Sequence, residues 1–192
     1  MKIWAYGDDI NTDMLFPGKY TYTCARPDEI KPHLLEDLDP EFAKGVQPGD
    51  VIFAGKNFGC GSSREQPVVG LKAVGIEAIA AKSFARIFYR AAINQGLLLV
   101  ECPDAVAAYA RDMAGTTEVP DRVPSVKGTR SEMSDISAMS PGVQLNLKDS
   151  TIMVGTQTFK FPTLPPEMLA IRDAGGLLEY TRARLRAKAG TR

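Results

Sequence analysis

The feature that most constrains this chain is the run Gly55-Lys56-Asn57-Phe58-Gly59-Cys60-Gly61-Ser62-Ser63-Arg64-Glu65, set directly behind the apolar segment Val51-Ile52-Phe53-Ala54. A short, continuous apolar run of this kind reads as a buried strand. Glycine takes positive φ and lets the backbone come close to a ligand, and Gly55, Gly59 and Gly61 fall within seven residues. Two hydroxyls, a guanidinium and a carboxylate follow without a gap, and a helical pattern begins after them. A strand, a glycine-rich turn and a helix start together present backbone N–H groups and side chains to an anion.

The surrounding pattern extends this into an α/β sheet. Residues 2–6 read as a first strand, 51–54 as a second, 76–81 as a third and 97–100 as a fourth. A short helix over 68–74 separates the second and third. A helix capped by Ser83 and ending near Gln95, before Gly96, separates the third and fourth. Strands alternating with helices over short connections predict a parallel core, with ligands bound beyond the carboxyl ends of the strands. Residues 26–38 read as helical, broken at Pro32, and 104–114 as a further helix. Residues 115–142 carry Ser, Thr, Pro and charge without periodicity and are expected to form a loop insertion. Residues 143–147, 151–154 and 158–161 read as short antiparallel strands. A C-terminal helix over about 166–188 opens at Pro165-Pro166 and is interrupted or bent at Gly175-Gly176. No internal repeat is visible.

Composition narrows the function classes. The 23 basic and 23 acidic residues balance, so nothing draws the chain globally to nucleic acid or a membrane surface. No apolar run approaches the roughly 20 residues of a membrane-spanning helix, and the N-terminus does not read as a signal peptide. Cys24, Cys60 and Cys102 are scattered and odd in number, which argues against a disulfide framework and a self-contained metal site. A reducing cytoplasm is the expected compartment. His33, the one histidine, stands beside Pro32 and reads as a surface residue, so a Ser-His-Asp hydrolase is disfavoured. The G-K-[ST] ending of a nucleotide-binding loop is also missing.

Two polar clusters leave alternatives open. Ser62-Ser63-Arg64-Glu65 fits a capping box, in which hydroxyl and carboxylate satisfy free donors at a helix start. Pro67 opposes that reading: a helix beginning nearer Gln66 would leave Ser62 to Glu65 in a turn, facing a ligand. Clustered amides from 59–63 and the Arg64 guanidinium can then stabilise a Ser62 alkoxide, or Arg64 can grip a carboxylate. Gly7-Asp8-Asp9-Ile10-Asn11-Thr12-Asp13 is either a self-bonded turn or part of a site; an EF-hand spacing is absent.

Asn57-Phe58-Gly59-Cys60-Gly61-Ser62-Ser63-Arg64-Glu65-Gln66 resembles the signature of the aconitase C-terminal swivel domain, whose stand-alone equivalents are the small subunits of 3-isopropylmalate dehydratase. The run 81–98, from Ala81-Lys82-Ser83-Phe84-Ala85-Arg86 to Gly96-Leu97-Leu98, and the 7–13 loop resemble the same family. The resemblance spans residues 7–98 and is loose after about 102. It implies one swivelling β/β/α domain over 1–192. It also implies a hydro-lyase that isomerises a 2-hydroxy dicarboxylic acid through an unsaturated intermediate. The [4Fe-4S] cluster would sit in a partner large subunit, with no cofactor or metal ligand in this chain. By the same resemblance Ser62 is the base, Ser63 and Arg64 bind substrate carboxylate, and Asp13 is an acid of the same cleft. Arg86 and Arg90 are supports for the loop or carboxylate contacts. In two-subunit relatives the loop at 17–23 contacts the variable substituent. Tyr22 and Thr23 offer an aromatic face and a hydroxyl there, which favours a less charged substituent such as that of 2-isopropylmalate; Arg26 stands nearby. Homoaconitate-, citramalate- or dimethylmalate-type dehydratases, and a non-enzymatic anion-binding module of the same fold, are the alternatives.

Overall fold

The computed structural model describes residues 2–114 and 143–189. The first sheet is built from β1 (Ile3–Tyr6), β2 (Val51–Ala54), β3 (Ala78–Ala81) and β4 (Leu98–Glu101), all parallel and in the order β1-β2-β3-β4. Every residue of β2 and β3 is buried, as a sheet covered on both faces requires. The two-residue period sorts side chains onto opposite faces: Trp4, Tyr6, Ile52, Ala54, Ile79, Ala81 and Leu99 point one way. Ala5, Val51, Phe53, Ala78, Ala80, Leu98 and Val100 point the other.

Because the strand order advances one place at a time, crossovers of one hand all fall on one face. That face is covered by α1 (Thr12–Leu15), α2 (Pro27–Ile30), α3 (Phe42–Gly45), α4 (Gln66–Ala73) and α5 (Arg86–Gln95). The other face packs on α6 (Pro103–Ala114) and on an antiparallel sheet of β5 (Val143–Asn146), β6 (Thr151–Val154) and β7 (Gln157–Lys160). Phe53 meets Tyr109 of α6 edge to face, with ring centroids 5.0 Å apart. Burial pushes the Tyr109 hydroxyl up to about 12. Antiparallel sheet, parallel sheet and helices are the expected three layers. The C-terminal helix is interrupted where the glycine pair suggested: α7 (Pro166–Asp173) and α8 (Leu177–Ala189) are separated by Ala174, Gly175 and Gly176. Lys72 of α4 donates to the carbonyls of Gln95 and Gly175, joining α4 to the ends of α5 and α7. The loop expected at 115–142 lies outside the described residues.

Two local expectations change, and one open alternative is decided. The helical pattern over 26–38 breaks near Pro32 as expected but does not resume beyond it: α2 ends at Ile30, a 3-10 turn carries Lys31–His33, and the chain then turns. Pro32 lacks the N–H that a continuing helix would need. Ser83 does not cap α5. That helix begins three residues later, with Ala85 at its cap, and the Ser83 hydroxyl instead accepts the Asn57 N–H at 2.9 Å. Ser62 and Glu65 form no capping box: α4 starts at Gln66, with Pro67 in its first turn and no side-chain bond from Glu65.

The amino ends of β1 and β2 are joined by buried Asp50, whose carboxylate accepts from Lys2 N (2.6 Å), Trp4 Nε1 (3.1 Å) and Gln47 N (3.0 Å). Replacing it leaves these three donors unanswered, and one lost partner costs about 1–3 kcal/mol. Asp50→Ala is expected to lower stability by about 2–4 kcal/mol in urea unfolding; a loss under about 0.5 kcal/mol would contradict the assignment.

Candidate active site

Parallel pairing of β1 with β2 continues past the strands, at their carboxyl ends. Asp9 N donates to Lys56 O (2.9 Å), Gly59 N to Ile10 O (2.8 Å) and Thr12 N to Cys60 O (2.7 Å). Asn11 and Cys60 form a parallel bridge, and so do Phe58 and Phe84 beyond β3. Asp9 and Asn57 both adopt positive φ, 55° and 57°, which Asp and Asn tolerate better than most residues. Their side chains meet, Asn57 Nδ2 donating to Asp9 Oδ1 at 2.8 Å. Gly59 and Gly61 are required where they stand, at φ 80° and 99°. A Cβ on Gly59 would fall 2.1 Å from the Phe88 ring, and one on Gly61 would fall 3.0 Å from Thr12 Oγ1.

This lacing brings Thr12 and Asp13 against Ser62 and Arg64. The Ser62 N–H donates to Thr12 Oγ1 at 3.0 Å, and the two hydroxyl oxygens lie 3.2 Å apart. Arg64 Nε donates to Ser62 Oγ at 2.7 Å. Arg64 Nη1 donates to Phe16 O (3.3 Å) and to Thr21 Oγ1 (3.0 Å). Three of the five guanidinium N–H groups are therefore committed within the chain. Nη2 is buried and lies 2.7 Å from Asp13 Oδ1, but its N–H bonds are not aligned with that oxygen. The contact is coulombic, to a carboxylate whose side chain is 63% exposed, so screening keeps it weak. Ser62 and Ser63 are exposed, and Arg64 is half-buried beneath them. Burial, and secondarily the Asp9 charge, push the Cys60 thiol up, which disfavours the thiolate.

The segment after α1 closes over this group. A Cβ on Gly18 would fall 2.8 Å from Asp13 Oδ1, so the backbone there packs directly on the Asp13–Arg64 pair. Gln66 Nε2 holds Thr21 O at 3.2 Å. Tyr20 stacks on His33 with centroids 3.8 Å apart. Glu36 accepts from Lys19 Nζ (2.8 Å) and Tyr20 Oη (3.2 Å), and its other oxygen lies 2.8 Å from His33 Nδ1. His33 thus supports this loop from the side.

Of the residues singled out in the sequence, Asp13, Ser62, Ser63 and Arg64 are gathered at one edge. Tyr22 is 98% exposed. The Thr23 hydroxyl donates to Tyr20 O at 3.3 Å. It is Thr21, between Tyr20 and Tyr22, that reaches the guanidinium. Arg86 and Arg90 are exposed on α5, which starts two residues after the Phe58–Phe84 bridge. Sequence reasoning missed Thr12 and Thr21. Thr12 was visible only as one polar residue of an Asx-rich loop, and its burial (2% exposed) is a tertiary fact. Among the described residues no group of three or more His, Cys, Asp or Glu is placed to hold a metal ion. Among the same residues no helix is long and apolar enough to cross a membrane.

Comparison with known proteins follows the same outline. Residues 15–105 match the aconitase C-terminal domain family. The chain is 40% identical over 186 residues to the 3-isopropylmalate dehydratase small subunit of Heliobacterium modesticaldum, covering 96% of this chain and 95% of that one. It is 36% identical over 187 residues to the isopropylmalate/citramalate isomerase small subunit of Methanocaldococcus jannaschii, covering 96% and 94%. A crystal structure of a 3-isopropylmalate dehydratase (leuD) from that organism superposes with a TM-score of 0.75 at 34% identity, covering 100% of this chain and 97% of the other.

Hydrogen bonds from Lys19, then His33, hold the Glu36 carboxyl down at about 2, below its ordinary 4.5. The ionised form is favoured by the fold, so its support of the loop is complete above about pH 4.5 and is lost as pH falls toward 2. In Lys19→Ala the Glu36 midpoint, followed by carboxyl carbon NMR shift, is expected to rise toward 4.5. An unmoved midpoint would remove Lys19 as the cause.

Proposed function

The chain belongs to the family of 3-isopropylmalate dehydratase small subunits, which carry the aconitase C-terminal domain, and from that premise we propose that Ser62 is the base of a hydro-lyase. The reaction is the dehydration and rehydration of a 2-hydroxy dicarboxylic acid that converts 2-isopropylmalate to 3-isopropylmalate, a step of leucine formation. A large subunit completes the enzyme and, on this reading, carries the [4Fe-4S] cluster that acts as the Lewis acid on the substrate hydroxyl.

The observation that carries the base assignment is an exposed Ser62 Oγ receiving the Arg64 Nε–H at 2.7 Å. A serine hydroxyl removes a carbon-bound proton only when its anion is stabilised. A charge-assisted hydrogen bond supplies about 1.5–3 kcal/mol of that stabilisation. The proton α to a substrate carboxylate passes to Ser62 Oγ, and its electron pair forms the double bond as the hydroxyl leaves. Ser63, exposed beside it, binds the carboxylate. Arg64 joins in through Nη2, the nitrogen with uncommitted N–H groups, once Asp13 swings from its 2.7 Å contact. Asp13 therefore stands between Arg64 and the cleft, as an acid of the site and as the guanidinium's resting partner. Tyr22 and Thr23, on the exposed turn after Thr21, meet the variable substituent, and Tyr22 supplies an uncharged face for an isopropyl group. The similarity to an isopropylmalate/citramalate isomerase subunit favours a second substrate with a shorter alkyl group.

Mixed anaerobically with its large subunit, the chain is expected to convert 2-isopropylmalate to an unsaturated acid followed by ultraviolet absorbance. Ser62→Ala should lower turnover by about 10²–10⁴-fold, the range of a lost general base, with unchanged circular dichroism. Retained turnover would take Ser62 out of the mechanism. A panel of alkyl-substituted malates assayed on the same pair fixes the substituent.

A further inference from the structure

We propose that Thr12 is a positioning residue for the base, the second hydrogen-bond donor on Ser62 Oγ; this rests on the assignment of Ser62 as the base. Thr12 is 2% exposed, whereas Ser62 is exposed. Its Oγ1 accepts the Ser62 N–H at 3.0 Å and lies 3.2 Å from Ser62 Oγ. While Ser62 keeps its proton, the hydroxyl–hydroxyl contact can run in either direction. Once Ser62 has lost it, Ser62 Oγ can only accept, and the Thr12 O–H is then the donor. The Ser62 anion therefore receives two bonds from inside the chain, one from Arg64 Nε at 2.7 Å and one from Thr12. Two of the anion's three lone pairs are then taken, and one is left for the substrate proton.

The backbone holds Thr12 in this role. Its own N–H is spent on Cys60 O at 2.7 Å, and it opens the single turn of α1, which Asn11 caps through Met14 N at 2.9 Å. Gly61 passes close by, and its Cβ, if present, would press to 3.0 Å from Thr12 Oγ1. The threonine hydroxyl thus has two partners, the amide and the hydroxyl of the one residue Ser62.

The test uses the reconstituted two-subunit enzyme. Thr12→Val keeps the shape and removes the hydroxyl. It is expected to lower kcat about tenfold or more with little change in KM, because the donor acts on the anion and not on bound substrate. The limb on which kcat rises with pH should move to higher pH, and Thr12→Ser should restore both rate and limb. The position of the limb does not depend on what fraction of the variant is folded, so a loss of stability leaves the test intact. A Thr12→Val enzyme with its limb unmoved overturns the proposal, as does a Thr12→Ser enzyme that behaves like Thr12→Val. Ser62→Ala is run in parallel. If it is inactive while Thr12→Val keeps the wild-type profile, this inference alone fails. If it is active, the base assignment fails and takes this inference with it.

Discussion

The structure of the site depends on one constraint: β1 and β2 remain paired after both have ceased to be strands. The ladder that begins at Ile3↔Val51 carries on through Asp9–Lys56, Ile10–Gly59 and Thr12–Cys60. Two loops remote in sequence thereby become one piece of backbone. Residues 12 and 13 reach residues 62 and 64 because their peptide groups are already bonded a few residues earlier. The helices that follow take their starting points from the same seam, α1 directly after Asn11 and α4 directly after Glu65.

Much of this could be read from the chain. The apolar runs 51–54 and 97–100 gave strands within a residue of those observed, because strand residues buried between two covered faces are apolar; the one exposed position, Glu101, closes β4. Pro67 correctly placed the start of α4, and so freed Ser62 from a capping role. Local chemistry misled where a long-range partner competed. Ser83 carries a good capping hydroxyl, but the Asn57 amide takes it. Residues 26–38 have a helical pattern, yet Leu34 and Leu35 are needed in the core, and the chain turns to deliver them. Thr12 and Thr21 were illegible as site residues. Nothing in a run of Asx and hydroxyl side chains says which hydroxyl will face a loop 50 positions away.

On the proposed assignment of Ser62, the chemistry is that of a hydroxyl without an imidazole. Its environment must do what a neighbouring base does elsewhere, by making the anion less costly and not by removing the proton directly. Arg64 is suited to this because half-burial and three internal hydrogen bonds fix its plane, so little ordering is left for the moment of reaction. The same commitments limit it as a substrate clamp, since only the Nη2 hydrogens remain and Asp13 lies across them. On the proposed reading, a substrate carboxylate reaching Nη2 would displace the Asp13 carboxylate beside it, which ties binding to the 17–23 loop packed on the same pair through Gly18.

The central claim, that a guanidinium makes Ser62 basic, is tested most directly by the pH dependence of kcat for Arg64→Gln in the reconstituted enzyme. The account predicts a fall in kcat that greatly exceeds any change in KM, with the rising limb displaced to higher pH. A rise confined to KM, with the limb where the wild type has it, would make Arg64 a carboxylate clamp only and contradict the account.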